Sequence, residues 1–209
     1  MKKPKKLTDI ALIKQPPKSN LCGAVCIKMI LKYYNTSKFS LDEIWEQISA
    51  PSPEGRSYCK TSKMGQFIEH NGLVTTIIKF NNLREIFKHC EKYQIPALMN
   101  IHSFANKTLG HFVVFIKYNT DGDTVIIRDP EDKKTNLNYS ELESSFKKLK
   151  PDDEIAGNVI ILPQKEVQNK KTIECQSCDH KNILDSQIAN SIESMICVKC
   201  DTSLPVPVN

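Results

Sequence analysis

A cysteine that follows a Pro-Pro pair has the setting of a nucleophile in this 209-residue chain. Apolar residues recur with helical spacing after Cys22, and Pro16-Pro17 forces an extended approach, so we expect a helix to begin at or next to Cys22. Backbone N–H groups without partners and the positive end of the helix dipole favour the thiolate there, the form that attacks carbonyls. Cys22 is therefore a candidate catalytic thiol. The equally good alternative on these residues alone is a small apolar side chain in a buried first turn.

A cysteine nucleophile needs a base that takes its proton and a third group that orients the base. Of the five histidines, His111 is the one that begins a strongly apolar strand directly after a glycine. Asp129 ends the next predicted strand, and the turn at residues 119–122 indicates a hairpin. Because the ends of hairpin strands meet, His111 and Asp129 are candidates for the base and the orienting group. The alternatives are a solvent-exposed histidine at a strand end and a turn-initiating aspartate before Pro130.

Four cysteines near the C-terminus form a second group with the spacing for chemistry. They make two Cys-x-x-Cys pairs, Cys175 with Cys178 and Cys197 with Cys200, separated by eighteen residues. This spacing puts two pairs of thiolates on two turns, as a tetrahedral zinc ion requires. A ribbon of about 35 residues has too small a core to fold alone, so we expect one structural zinc ion to supply its folding energy. The alternative is a set of free surface cysteines.

The elements that must position these residues change character along the chain. Helical periodicity follows Cys22, Ser40 and Asn82, whereas strands and the hairpin dominate after about residue 95, and residues 50–58 read as a loop. Helices followed by a mostly antiparallel sheet predict an α+β fold with the first helix packed on the sheet. We predict a main domain at residues 1–163, a linker at 164–171 that isolates the two parts, and a zinc-ribbon module at 172–209.

The positive charge of the chain is confined to its beginning. Residues 1–20 carry six lysines and one acidic residue, Asp9, so their net charge is +5. This equals the net charge of the whole chain, so the charges of the other 189 residues sum to zero. A nucleic-acid reader spreads its basic residues over a folded face, so no nucleic-acid partner is expected. We interpret this segment as a solvated, disordered lead-in.

The cellular compartment can be inferred from the apolar segments and the cysteine spacing of the sequence. The apolar stretch after the first lysines is interrupted by Asp9 and too short for a signal peptide, and no window of eighteen apolar residues predicts a membrane span. Four of the eight cysteines have metal spacing and the others show no disulfide framework. We expect a protein of the cytoplasm, a reducing compartment, with any delivery elsewhere following a route that the sequence does not reveal.

Four motifs, taken in their order along the chain, resemble the papain-like bacteriocin-processing peptidases, the double-glycine leader peptidases. The motifs are Gln15, Cys22-Gly23-Ala24-Val25-Cys26 before an apolar helix, Gly110-His111-Phe112-Val113-Val114, and Asp129-Pro130. The resemblance spans about residues 10 to 163. It implies a bacterial thiol protease of papain-like fold in which Cys22 is the nucleophile, His111 the general base and acid, Asp129 the orienting group, and the Gln15 amide a donor to the oxyanion hole.

The implied activity is hydrolysis of peptide bonds in a peptide or protein substrate, with the ribbon docking that substrate or a protein partner. The same three residues also support deamidation and acyl transfer, because those reactions share the thioester intermediate and differ only in the acceptor. A catalytically silent recognition module that keeps the peptidase fold as a binding cleft is the other alternative.

Overall fold

The predicted helices are present in the computed structural model, which describes residues 5–51, 55, 57–104, 109–148, 155 and 157–206. Ser40 starts one of them through a reciprocal capping box with Glu43, and the Asn82 side chain accepts from the Glu85 amide at 3.3 Å to start another. The α-helices are α1 (Cys22–Tyr33), α2 (Leu41–Ile48), α3 (Thr61–His70), α4 (Leu83–Tyr93) and α5 (Tyr139–Ser145), and two 3-10 turns span Leu7–Asp9 and Ser186–Ser191. Among the described residues, no helix has both the length and the apolar character needed to cross a membrane.

An antiparallel sheet of eight strands forms the centre of the described chain. Its order is β12-β11-β3-β8-β4-β5-β6-β7, and two more pairs, β1 with β2 and β9 with β10, lie apart from it. The strands are β1 (Ser49–Pro51), β2 (Ser57–Cys59), β3 (Val74–Phe80), β4 (Leu98–His102), β5 (Gly110–Asn119), β6 (Thr124–Arg128), β7 (Asn136–Asn138), β8 (Val159–Gln164), β9 (Lys170–Glu174), β10 (Lys181–Asp185), β11 (Ile192–Ile196) and β12 (Ser203–Pro205). Helix α1 packs against β5 and α3 against β3, which agrees with the predicted α+β fold.

The prediction of a loop at residues 50–58 is wrong in part. Ala50 pairs with Tyr58 in the short ribbon that β1 and β2 form. Strands of three residues are too short to show a periodic sequence pattern, so the turn-forming prolines and glycine dominated the prediction.

The hairpin that carries the candidate base has the predicted strands, and its pairing register shifts by one residue at a bulge. Val114 pairs with Arg128, and a bulge lies between Phe115 and Lys117. Continuing this register by one residue places Asp129 opposite Val113, so that His111 is its diagonal neighbour. Side chains on a diagonal remain within reach of each other when one of them is long.

The interpretation of residues 1–20 as a disordered lead-in is wrong for the part that the structure describes. Leu7 and Ile10 are buried in the core, at 2% and 1% exposure. The guanidinium of Arg128 donates to the carbonyl of Ile10 at 2.9 Å, and the amide of Gln15 donates to the carbonyl of Pro130 at 2.9 Å. The segment thus lies along the end of β6, because Leu7 and Ile10 bury their side chains while Lys5, Lys6 and the intervening Thr8 and Asp9 stay at the surface.

The C-terminal segment is part of the same sheet. Strand β11 pairs with β3 on one side and with β12 on the other. The division at 1–163, 164–171 and 172–209 remains a prediction, but the expectation that the linker isolates the two parts is wrong. Strand pairing links residues more than a hundred positions apart, which no local pattern around the linker could indicate.

Candidate active site

Cys22 is the first residue of α1, as predicted. The residue before it, Leu21, is at the N-cap position and makes no side-chain hydrogen bond to the amides of the first turn. The next residue has to be glycine: a Cβ on Gly23 would lie 2.5 Å from the Cys59 sulfur and 3.3 Å from the Met64 methyl carbon. The cysteine itself is only half-buried, so its thiol is accessible at the positive end of the helix.

His111 lies between Cys22 and Asp129. Its ring is 3% exposed, and Nε2 is 2.7 Å from Oδ1 of Asp129. Burial opposes the charged ring, but hydrogen bonds to Asp129 and to the Cys22 thiol, with attraction to both groups, raise the pKa of His111 to about 9. The edge of the Phe104 ring approaches the imidazole at 6.1 Å between centroids, which limits access of water to that side.

Asp129 is a fully buried carboxylate with all its hydrogen bonds made. Besides the contact with His111, Oδ1 accepts from the amide of Glu131 at 2.8 Å, and Oδ2 accepts from the amides of Lys133 at 3.0 Å and Lys134 at 3.2 Å. Burial alone would raise the pKa of Asp129, but the hydrogen bonds from His111 and the backbone lower it below its usual value. The turn that the sequence indicated at Asp129-Pro130 is therefore also what holds the carboxylate against the imidazole.

Gln15 lies beside this turn. Its Nε2 donates to the Ser19 carbonyl at 3.3 Å and to Oε1 of Glu131 at 3.4 Å, both long for hydrogen bonds. Its Oε1 is buried and accepts no hydrogen bond from the described residues. The structure thus places the Gln15 amide next to the turn that follows Asp129, where its N–H groups donate to Ser19 and Glu131.

The other three cysteines of the N-terminal part differ in their relation to Cys22. Cys26 is buried, its thiol donates to the Phe112 carbonyl at 3.2 Å, and burial raises its pKa well above the usual range. Cys90 is likewise buried. Cys59, which sequence reasoning left as structural, packs against Gly23, while burial and the neighbouring Cys22 raise its pKa. No sequence spacing links residues 59 and 23, so this contact could not have been predicted.

The four C-terminal cysteines converge as their spacing predicts. Their sulfur atoms all lie within 4.8 Å of one another, with 3.5 Å between Cys175 and Cys200 and 3.6 Å between Cys178 and Cys197. Zinc–sulfur bonds of about 2.3 Å in a tetrahedron place sulfur atoms about 3.8 Å apart, so the donor set fits this metal. Asn182, which the sequence did not single out, is buried beside the cluster, where its amide Nδ2 lies 3.6 Å from the Cys197 sulfur.

Solved structures with the same fold include two peptidases. The peptidase domain of Streptococcus ComA, a bifunctional ABC transporter involved in a quorum-sensing pathway, has a TM-score of 0.55 at 16% identity, over 75% of this chain and 99% of that one. A C39-like peptidase from Bacillus anthracis has a TM-score of 0.56 at 14% identity, over 78% and 98%. A double glycine motif protease from an AMS/PCAT transporter, solved with its leader peptide, gives 0.48 at 18% identity, over 74% and 92%. Comparison with curated proteins finds no match.

The sequence itself matches one protein family. Residues 11–150, which are 140 of the 209 residues, match the peptidase C39 family. The matched segment contains Gln15, Cys22, His111 and Asp129 and ends before the four-cysteine cluster. The chain belongs to the peptidase C39 family of papain-like cysteine peptidases.

Proposed function

We propose that this peptidase hydrolyses peptide bonds in a peptide or protein substrate with Cys22 as nucleophile, His111 as general base and acid, and Asp129 as the group that orients His111. The single observation that carries this proposal is the buried contact of 2.7 Å between Nε2 of His111 and Oδ1 of Asp129, on an imidazole whose pKa the neighbouring Cys22 thiol also raises. Nε2 faces the carboxylate, which leaves Nδ1 as the ring nitrogen that exchanges a proton with the thiol.

The reaction then follows from the positions of these groups. The Cys22 sulfur forms a bond to the carbonyl carbon of the substrate, and its proton resides on Nδ1 of His111. Breakdown of the tetrahedral adduct expels the amine, which takes that proton, and leaves a thioester on the sulfur. Water gives a proton to Nδ1 and attacks the thioester, which releases the acid and restores the thiol and imidazole. Asp129 stays ionised throughout and holds the ring in one orientation.

Mass measurement distinguishes hydrolysis from the other reactions of such a site. The purified chain is incubated with a library of peptides of mixed sequence, with Cys22→Ala as the control. New termini in the wild-type sample only support peptidase activity, whereas a gain of about one dalton on intact glutamine peptides indicates deamidation. No change in any peptide, together with a Cys22 that alkylates no faster than Cys26 or Cys59, would favour the silent recognition module.

The pH dependence of activity should report the raised pKa of His111. The imidazolium protonates the leaving amine, so kcat/KM should fall as the pH rises through about 9, where this group loses its proton. The ion pair with Asp129 also stabilises the fold, because the pKa of His111 is raised from its ordinary value of 6.5 to about 9. This stabilisation is complete below about pH 6.5 and is lost as the pH rises through about 9, where the folded protein loses the proton. Asp129→Asn removes the charge that holds the proton on His111, so the alkaline limb should move to lower pH. An alkaline limb that the variant leaves unmoved would contradict the proposed pairing.

Gln15 is proposed as a donor to the oxyanion hole. Its two long hydrogen bonds, to Ser19 and Glu131, are weak enough for one N–H to exchange its partner for the oxygen of the adduct. We expect Gln15→Ala to lower kcat by about a hundredfold with little change in KM, because the bond forms only as the oxygen gains charge. The matched control is Ser19→Ala, which keeps the Ser19 carbonyl and the Gln15 amide. Equal kcat in Gln15→Ala and wild type would remove Gln15 from the mechanism.

The four-cysteine cluster is proposed to hold one structural zinc ion. All four positions are thiols, so no coordination position is left for water or substrate, and the metal takes no part in the reaction above. The exposed side chains of Gln176 and Ser177 leave the first turn of the cluster available to a protein partner or substrate. A reducing compartment such as the cytoplasm is part of the proposal, because four of the eight cysteines have metal spacing and the others show no disulfide framework.

A further inference from the structure

The two metal-binding turns have the same sequence pattern, Cys-x-x-Cys-Asp, and the same backbone shape. Asp179 ends the first turn and Asp201 ends the second. Both have positive φ, 56° and 63°, and both donate their amide to the carbonyl of the first cysteine of the turn, at 2.8 Å and 3.1 Å. As far as the backbone is concerned, the two aspartates are equivalent.

Their side chains have different surroundings. The Asp179 side chain is exposed, whereas Oδ2 of Asp201 accepts from the Lys60 ammonium at 2.9 Å and from the Ser62 hydroxyl at 2.9 Å. Ser62 is 2% exposed, so its hydrogen bond to Asp201 is partly buried. The second turn, unlike the first, is thus tied by its carboxylate to the start of α3.

Further contacts fix the same turn along α3. The Gln66 amide donates to the carbonyls of Val198 at 3.0 Å and Lys199 at 3.1 Å. A Cβ on Gly65 would lie 3.1 Å from a methyl group of Val198, so helix and turn approach as closely as a glycine allows. The turn and the first two helical turns of α3 therefore form one packed unit.

The start of α3 is in turn adjacent to the candidate nucleophile. Lys60 caps α3 and directly follows Cys59, and its amide donates to the Ile48 carbonyl at 2.9 Å. The Cys59 sulfur packs against Gly23 and fills the space that a side chain there would occupy, since a Cβ on Gly23 would lie 2.5 Å from it. A displacement of Lys60 therefore moves the sulfur that supports the first turn of α1, where Cys22 lies.

We infer that Asp201 is a positioning residue: through Lys60 and Ser62 it holds Cys59 against Gly23 and so fixes the Cys22 thiol relative to His111. This inference rests on the proposed function for the role of Cys22. The C-terminal metal-binding segment then contributes to the peptidase site although it lies outside the family match. The contribution comes from its second turn, because the carboxylate of Asp201, unlike that of Asp179, contacts the start of α3.

The test compares Asp201→Asn with the matched control Asp179→Asn in the full chain carrying zinc. Asparagine tolerates positive φ, so both variants keep the turn. We expect Asp201→Asn to slow alkylation of Cys22 by iodoacetamide, followed by mass spectrometry, by about tenfold, and to lower kcat similarly with KM unchanged. Amide hydrogen exchange at residues 59–62 should accelerate. Asp179→Asn should stay within about twofold of wild type in each measurement, and zinc content should be equal in all three proteins.

A second pair of variants changes Lys60, the partner of Asp201, and leaves the metal-binding turn unchanged. Lys60→Met should reproduce the slower alkylation of Cys22, while Lys60→Arg, which keeps the charge, should restore most of the wild-type rate. If wild type cleaves no peptide but Asp201→Asn still slows alkylation, the inference stands and the proposed function fails. Asp201→Asn and Asp179→Asn with equal alkylation rates and equal exchange at residues 59–62 would overturn the inference, whatever the peptidase assay gives.

Discussion

We expect His111→Ala to lower kcat/KM for peptide hydrolysis by at least about a thousandfold, because the variant loses the base that takes the thiol proton and the acid that protonates the leaving amine. The exposed His70, at the end of α3, provides the matched control, and His70→Ala should retain full activity. The measurement is steady-state cleavage of a peptide found in the library assay, on samples with equal zinc content.

Because His111 is buried, loss of activity has to be separated from loss of the fold. Circular dichroism and urea unfolding at pH 7 report the folded fraction of each variant, and alkylation of Cys22 reports the thiol directly. A folded His111→Ala protein in which Cys22 alkylates as fast as in wild type, or which retains more than a tenth of the activity, would rule out His111 as the base.

The second large effect concerns the metal. Cys175→Ser should lose the zinc ion and lower the free energy of unfolding by about 5 kcal/mol or more, since metal binding supplies folding energy to such sites. For a chain of this size that corresponds to a fall in Tm of more than about 10 °C. Because β11 pairs with β3, the loss should reach the whole sheet, and unfolding should be a single transition at lower temperature.

Calorimetry and metal analysis test this together. The control is Ser177→Ala, an exposed position in the same turn that carries no ligand, which should keep the zinc and the wild-type Tm. Two separate transitions in Cys175→Ser, with the later one at the wild-type Tm, would instead support independent parts joined by a linker. A variant that keeps one equivalent of zinc would contradict the four-thiol site.

The parts of the structure that sequence predicted correctly are those determined by neighbours in the chain. The hairpin turn at residues 119–122, the Ser40 capping box and the two Cys-x-x-Cys pairs each act over a few residues, so their patterns are visible in the sequence. The proximity of His111 and Asp129 followed from the hairpin, but the bulge did not, and it is the bulge that puts the two residues on the same face of the sheet. The resemblance to a family supplied what local patterns could not, namely the expectation that Cys22 acts together with this pair.

The parts that were missed depend on contacts between distant residues. Leu7 and Ile10 stand among lysines, and only the structure shows the core position that buries them. The pairing of β11 with β3 links positions about 115 apart, as in Met195 with Ile78. The contact of Cys59 with Gly23 is of the same kind: it arises where the end of β2 meets α1, and neither sequence neighbourhood indicates it.

The place of β11 beside β3 also bears on how this protein avoids aggregation. Without β11, β3 would be the edge of the sheet, a seven-residue strand of sequence VTTIIKF with one charge and no proline or glycine. Such an edge is a template for strand addition by another chain. As folded, the edges are instead β12, three residues long and ending in Pro205, and β7, also three residues long. Loss of the proposed metal would then endanger solubility as well as stability, because the segment proposed to bind it also covers the edge of β3.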